Sequence, residues 1–89
     1  MNVADVINSF GLTAEQFNKL TAHQYMILCF IVKNGSVTPM EAFSELGITK
    51  LSTRISEMKA MGIRFDQNYE GRENRFGKKV RFMRYRKAA

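Results

Sequence analysis

Apolar residues recur at helical spacing through the first half of the chain. The first such set, spaced i, i+3, i+4, i+7, is Val3, Val6, Ile7 and Phe10. It predicts an amphipathic helix within residues 1–11, capped by Asn2 and stopped by Gly11. Three more helices are predicted from capping boxes at residues 13–16, 21–24 and 38–41. The helix that starts after Thr21 is apolar nearly all round, which is typical of a central helix packed on several sides.

A glycine turn separates the last of these helices from another amphipathic segment. Pro39 lies at the first helical position, where its missing N–H costs nothing, and Gly47 ends this short helix. The next helix is predicted over residues 49–61, with Thr49 as its cap and Gly62 as its C-terminal glycine. Its apolar stripe comprises Ile48, Leu51, Ile55 and Met58. A short helix, a tight turn and a second amphipathic helix predict a helix-turn-helix.

The periodicity changes after Gly62. Residues 63–67 alternate between apolar and polar, which predicts a strand, and residues 68–77 are polar with two glycines, which predicts a loop. Residues 80–86 are rich in β-forming side chains and predict a second strand, whose imperfect alternation suggests a bulge or an edge position. Two strands alone are marginally stable, so they must lean on the helices, with Val37 as a candidate third strand.

These elements give a fold class that is mainly α with a C-terminal β-hairpin, a winged helix-turn-helix. The chain resembles the small winged helix-turn-helix DNA-binding proteins of bacteriophages and prophages over residues 21–86. The matching text is VTPMEA at 37–42, LGITKLSTRI at 46–55, MGI at 61–63 and NRFGKKVRFMRYR at 74–86. The resemblance implies DNA binding. We expect residues 1–20 to form a helical extension packed on the core and residues 21–87 to form the winged domain.

Charge is polarised along the chain in a way that favours a polyanionic partner. Residues 50–89 hold twelve Lys and Arg against four acids, a balance of +8, whereas residues 1–49 have a balance of −2. Each phosphate neutralised by Lys or Arg releases condensed counterions, so a domain with one basic end suits a nucleic acid. The alternative is that the basic residues only maintain solubility.

Two groups of residues are the candidate DNA contacts. On the helix at 49–61, short polar and cationic side chains oppose the apolar stripe, as a helix in the major groove requires: Thr49, Lys50, Thr53, Arg54 and Ser56. The wing over residues 68–79 and the strand after it supply cations for the DNA backbone or the minor groove: Arg72, Arg75, Lys78, Lys79, Arg81 and Arg84.

Each group also has a simpler interpretation. The polar arc of the helix could be an ordinary solvated face, and Arg54 could pair with Glu45 or Glu57. Tyr69 and Phe76 could stack on bases, although we expect them to fold back onto the sheet.

Catalysis and metal binding find little in the sequence to support them. The chain has one histidine, His23, and one cysteine, Cys29, expected to be a buried thiol. We therefore expect a non-enzymatic protein with no cofactor and no metal site. A lack of long apolar runs and the lone cysteine favour the cytoplasm of a bacterial or phage-infected cell and no membrane partner.

The leading functional interpretation is a DNA-binding transcription regulator of a phage or mobile element. One alternative is a protein-interaction module, a phage factor that docks on a host protein through the N-terminal helix, or a homodimer formed there. Another alternative is binding of double-stranded RNA by charge and shape.

Overall fold

The computed structural model describes residues 3–88 as five helices followed by a two-stranded antiparallel hairpin. The elements are α1 (Val3–Phe10), α2 (Ala14–Asn18), α3 (Ala22–Asn34), α4 (Pro39–Leu46), α5 (Leu51–Ala60), β1 (Phe65–Glu73) and β2 (Lys79–Lys87). This architecture confirms the predicted mainly α fold with a C-terminal hairpin. The predicted helix cap Asn2 lies outside the described residues.

The three predicted capping boxes are all present. In each, a threonine hydroxyl accepts from the backbone N–H three residues on, at 3.1 Å for Gln16, 3.3 Å for Gln24 and 3.2 Å for Glu41. The side chain of that third residue accepts in return from the threonine N–H. These reciprocal bonds satisfy donors that a helix N-terminus otherwise leaves open, and they fix where α2, α3 and α4 begin.

The core forms around α3, which lies against α1, α4, α5 and β2. The largest fully buried side chains are Val6, Ile27, Leu28, Ile31, Val37, Ile55 and Met58. Val6 and Leu12 belong to the same core as the later helices, and the Phe10 ring lies 5.5 Å from that of Phe65 on β1. Val6, Phe10 and Leu12 therefore pack on the same core as the later helices.

The start of α5 differs from the prediction. Lys50, rather than Thr49, is the N-cap, and no side chain caps this helix. The N–H of Arg54 donates to the carbonyl of Lys50 at 3.2 Å, which makes this the first helical hydrogen bond. Ile48 and Leu51 are both buried, and their burial fixes the path of the turn, so Thr49 remains exposed ahead of the helix.

The hairpin is longer than predicted. β1 and β2 pair continuously from Phe65–Lys87 to Glu73–Lys79, so the expected loop over residues 68–77 is mostly strand. Of the two explanations for the imperfect alternation, the bulge is wrong and the edge position is confirmed, because the sheet has two strands. Only residues 74–78 form the connecting turn. The outer part of the hairpin has solvent on both faces, so polar residues occupy both, and the alternation that marks a half-buried strand is lost.

The root of the hairpin is attached to the segment that enters α4. Val37 and Tyr85 exchange two backbone hydrogen bonds, of 2.8 and 2.9 Å, in an isolated antiparallel bridge. The candidate third strand is therefore confirmed as a single-residue bridge. Tyr85 is buried beside it, and this burial raises the pKa of the Tyr85 hydroxyl.

Candidate nucleic-acid interface

The helix-turn-helix presents α5 with one face buried and the opposite face open. Gly47 ends α4 in the left-handed conformation, with φ of 69°, and the predicted apolar stripe is buried from Ile48 to Met58. The exposed residues on and just before α5 are Thr49, Lys50, Ser52, Thr53, Ser56, Lys59 and Ala60. Thr49, Lys50, Thr53 and Ser56 are thus on one accessible arc, as predicted.

Sequence reasoning missed Ser52 and Lys59 on this arc. Ser52 precedes Ser56 by one helical turn, and Lys59 follows Ser56 by three residues, so both share its side of the helix. This spacing was visible in the sequence. The accessible face consists mostly of short hydroxyl side chains, with lysines toward its edges.

On one flank of α5, an ion pair neutralises the charge and a hydrogen bond connects the helix to α3. Arg54 is half-buried, and its Nη1 lies 3.1 Å from Oε1 of Glu57. That carboxylate also accepts from Nε2 of Gln24 on α3, at 3.1 Å. Of the two partners predicted for Arg54, Glu57 is the one it contacts. Arg54 therefore lies beside the exposed arc rather than at its centre.

The other flank of α5 meets the hairpin. Nζ of Lys59 donates a hydrogen bond to Oε1 of Gln67 on β1. In the strand register Gln67 pairs with Tyr85, and residues paired across an antiparallel ladder share a face. The face of the hairpin that carries Gln67, Tyr69, Arg81 and Lys79 is therefore continuous with the exposed side of α5, and we call it the inner face.

In the half of the inner face nearer the tip of the hairpin, an aromatic ring lies among cations. The guanidinium of Arg81 lies 4.5 Å from the centre of the Tyr69 ring, a distance at which a cation is attracted to the ring face. Tyr69 is 61% exposed, so the prediction that it folds back onto the sheet is wrong. Lys79 and Arg81 are both exposed.

Arg84 lies on the opposite, outer face of the hairpin and is the least available of the predicted contacts. Its Nε donates to Glu70 at 2.8 Å and its Nη1 donates to the Ser36 hydroxyl at 2.7 Å. The Glu41 carboxylate on α4 lies 3.8 Å from the same nitrogen. The hydrogen bond to Glu70 raises the pKa of the guanidinium. Arg84 thus joins β1, β2 and the start of α4.

The turn at the end of the hairpin is organised by Asn74. Its Oδ1 accepts from the backbone N–H groups of Phe76 and Lys78 at 2.9 and 3.0 Å, and Gly77 supplies the left-handed residue, with φ of 76°. Arg75 and Lys78 are exposed here, and Phe76 is 77% exposed, so its predicted return to the sheet is also wrong. Arg72, on the outer face, is exposed as well.

Other chemistry is sparse in the described chain. His23 is exposed in the first turn of α3, and Cys29 is half-buried against the core. Within residues 3–88, no three His, Cys, Asp or Glu side chains are grouped so that they could hold a metal ion. Over the same residues, no helix combines the length and apolar character that crossing a bilayer would require.

A helix-turn-helix followed by a hairpin that packs beside its second helix defines the class of winged helix-turn-helix domains. The family model described as a winged helix-turn-helix domain matches residues 23–86. The chain belongs to this family, whose members are typically non-enzymatic DNA-binding modules. Searches of the curated proteins and of the solved structures gave no match to this chain.

Proposed function

We propose that this protein binds double-stranded DNA and regulates transcription in a bacteriophage or another mobile element. It would act in the cytoplasm of a bacterial or phage-infected cell, where that DNA is present. The observation that carries the proposal is the continuity between the exposed polar arc of α5 and the cationic hairpin, joined by the contact between Lys59 and Gln67. A helix in the major groove and a cationic wing on the flanking backbone need this arrangement.

In this proposal α5 reads base edges. Thr49, Lys50, Thr53 and Ser56 are exposed together, and their hydroxyl and ammonium groups can bond to base edges or phosphates in the major groove. Ser52, which is exposed on the same side of α5, is added to this group of candidate contacts. Arg54 contacts a phosphate at the edge of the groove if its ion pair with Glu57 breaks. Otherwise this ion pair helps to hold α5 against the rest of the protein.

The wing supplies affinity that does not depend on sequence. Of the exposed cations on the hairpin, the five away from its root are available to phosphates: Arg72, Arg75, Lys78, Lys79 and Arg81. Arg84 is already engaged by Glu70 and Ser36. We therefore assign Arg84 a positioning role, in which it sets the angle of the wing against α4 instead of touching DNA.

The structure gives less support to the proposed partner surface on α1. Val6, at the centre of its apolar face, is fully buried in the protein's own core, and Phe10 packs on Phe65. A homodimer or a host-protein contact through α1 stays a prediction, which light scattering of the full-length protein tests.

The direct test is selection of bound fragments from a random duplex pool, followed by titration of a selected duplex at several salt concentrations. If the five wing cations each neutralise one phosphate, log K should fall against log salt with a slope of about −4.5. An RNA duplex of equal length should compete weakly. Failure to bind any DNA duplex at ~50 mM salt would refute the proposal, since phosphate contacts are strongest there.

A further inference from the structure

Phe76 is the most exposed of the large apolar side chains in residues 3–88, at 77%. The turn around it is otherwise polar or basic, with Asn74, Arg75, Gly77 and Lys78. Burial of a phenylalanine ring stabilises a contact because it removes a large apolar surface from water. A ring this exposed at the tip of a projecting hairpin therefore indicates a site that is covered when a ligand binds.

The turn holds this ring outward on an ordered backbone. The N–H of Phe76 donates to Oδ1 of Asn74 at 2.9 Å, and Gly77 N–H donates to the Asn74 carbonyl at 3.0 Å. Two further hydrogen bonds between Lys78 and Asn74, of 2.8 and 3.0 Å, close the turn. A tip fixed in this way presents the Phe76 side chain without further ordering of the main chain.

The surroundings of the ring favour a nucleic acid over an apolar protein surface. The Arg75 guanidinium lies 5.3 Å from the ring centre, and Lys78 follows two residues later. Cations that precede and follow Phe76 in the turn would meet the phosphates that flank a base step. The apolar surface of a protein would leave these charges unpaired and desolvated, which is unfavourable.

The length of the hairpin matches such a contact. Gln67, beside α5, and Asn74, at the turn, are separated by seven residues along β1 and its end, about 23 Å at strand rise. The major groove and the next minor groove are about half a helical turn apart, roughly 17 Å. When α5 lies in a major groove, the tip can therefore reach the neighbouring minor groove.

We infer that Phe76 is a wedge that enters the minor groove, partly unstacks a base step and bends the DNA. This inference rests on the proposed DNA binding and extends it, because it adds bending to recognition. Apolar wedges in the minor groove kink DNA toward the major groove, which would close the duplex around α5 and the inner face of the hairpin. Flexible pyrimidine–purine steps would be preferred, because they unstack most readily.

The test uses two 30-bp duplexes with a fluorescence donor and acceptor at their ends, one fully paired and one with a central unpaired nucleotide. The full-length protein should bind the second about tenfold more tightly, because part of the unstacking is already done. It should also bring the ends of the paired duplex closer together. Phe76→Ala should lose both effects, and Phe76→Leu, which keeps an apolar wedge, should restore most of each.

Phe43→Ala is the matched control, since it removes another exposed aromatic ring, 59% exposed, from α4 and not from the hairpin. It should leave the preference and the bending unchanged. Tight binding to both duplexes with equal affinity and no approach of the ends would overturn the wedge while leaving DNA binding intact, and the ring would then belong to a protein contact. No binding to either duplex would overturn the proposed function and the wedge together.

Discussion

Arg84 connects three parts of the molecule through one guanidinium, which contacts Glu70 on β1, Ser36 before α4 and Glu41 within α4. We expect Arg84→Ala to lower the free energy of unfolding by about 1–3 kcal/mol, because hydrogen bonds to charged groups are lost and two carboxylates lose their cation. Urea denaturation measures this change. Lys79→Ala, an exposed cation on the same strand, should change stability by less than about 0.5 kcal/mol.

A different result would reassign Arg84. If Arg84→Ala leaves the unfolding curve unchanged but weakens DNA binding as much as a change at Arg75, then Arg84 contacts DNA directly. In that case Arg84 is one of the DNA-contacting residues, as the sequence predicts.

Individual residues could be predicted where their partners are close in sequence. The capping pairs Thr13–Gln16, Thr21–Gln24 and Thr38–Glu41 are three residues apart, so the sequence contains both halves of each interaction. Arg84 has its partners on other elements. Its role was therefore not visible in the sequence, where it was one more basic residue of the strand.

At the scale of elements, α5 should carry sequence discrimination. Lys50→Ala or Thr53→Ala should change the preference for a selected duplex over a scrambled one by ~1–3 kcal/mol if these side chains touch bases. Competition binding measures the preference. Asn18→Ala, exposed on α2 and outside α5, is the control and should change nothing. Unaltered preferences in both α5 variants would show that another face docks on DNA.

The elements were predictable to different degrees for physical reasons. The apolar stripe of α5 was identified because one helical face must be buried, and Ile55 and Met58 are buried as expected. The sequence of the outer half of the hairpin predicts a loop because neither of its faces is buried, so the pairing of the strands leaves no alternation of apolar and polar side chains. The exposure of Tyr69 and Phe76 follows from the same geometry.

At the scale of the whole molecule, the location of the charge should matter more than its amount. The double variant Arg75→Ala/Lys78→Ala should weaken binding to all sequences alike and reduce the salt slope by about 2, because two phosphate contacts are lost. Titration at four salt concentrations gives the slope. Lys19→Ala/Lys33→Ala removes the same net charge from the helical body and should leave the slope nearly unchanged. Equal effects of the two pairs would mean that net charge, and not the wing, drives binding.

The molecule is elongated, with extents of 47 × 24 × 20 Å, because the hairpin projects from the helical body. Its root is fixed where Val37 and Tyr85 exchange their backbone hydrogen bonds inside the core, and side chains of Arg84 and Gln67 attach it to the helices. Beyond the Glu70–Phe82 pair, the hairpin can be shortened or extended by two residues in each strand, which keeps every side chain on its face, without disturbing how the helices pack. In the proposed complex, the span between the two grooves is therefore set separately from the bases that α5 contacts.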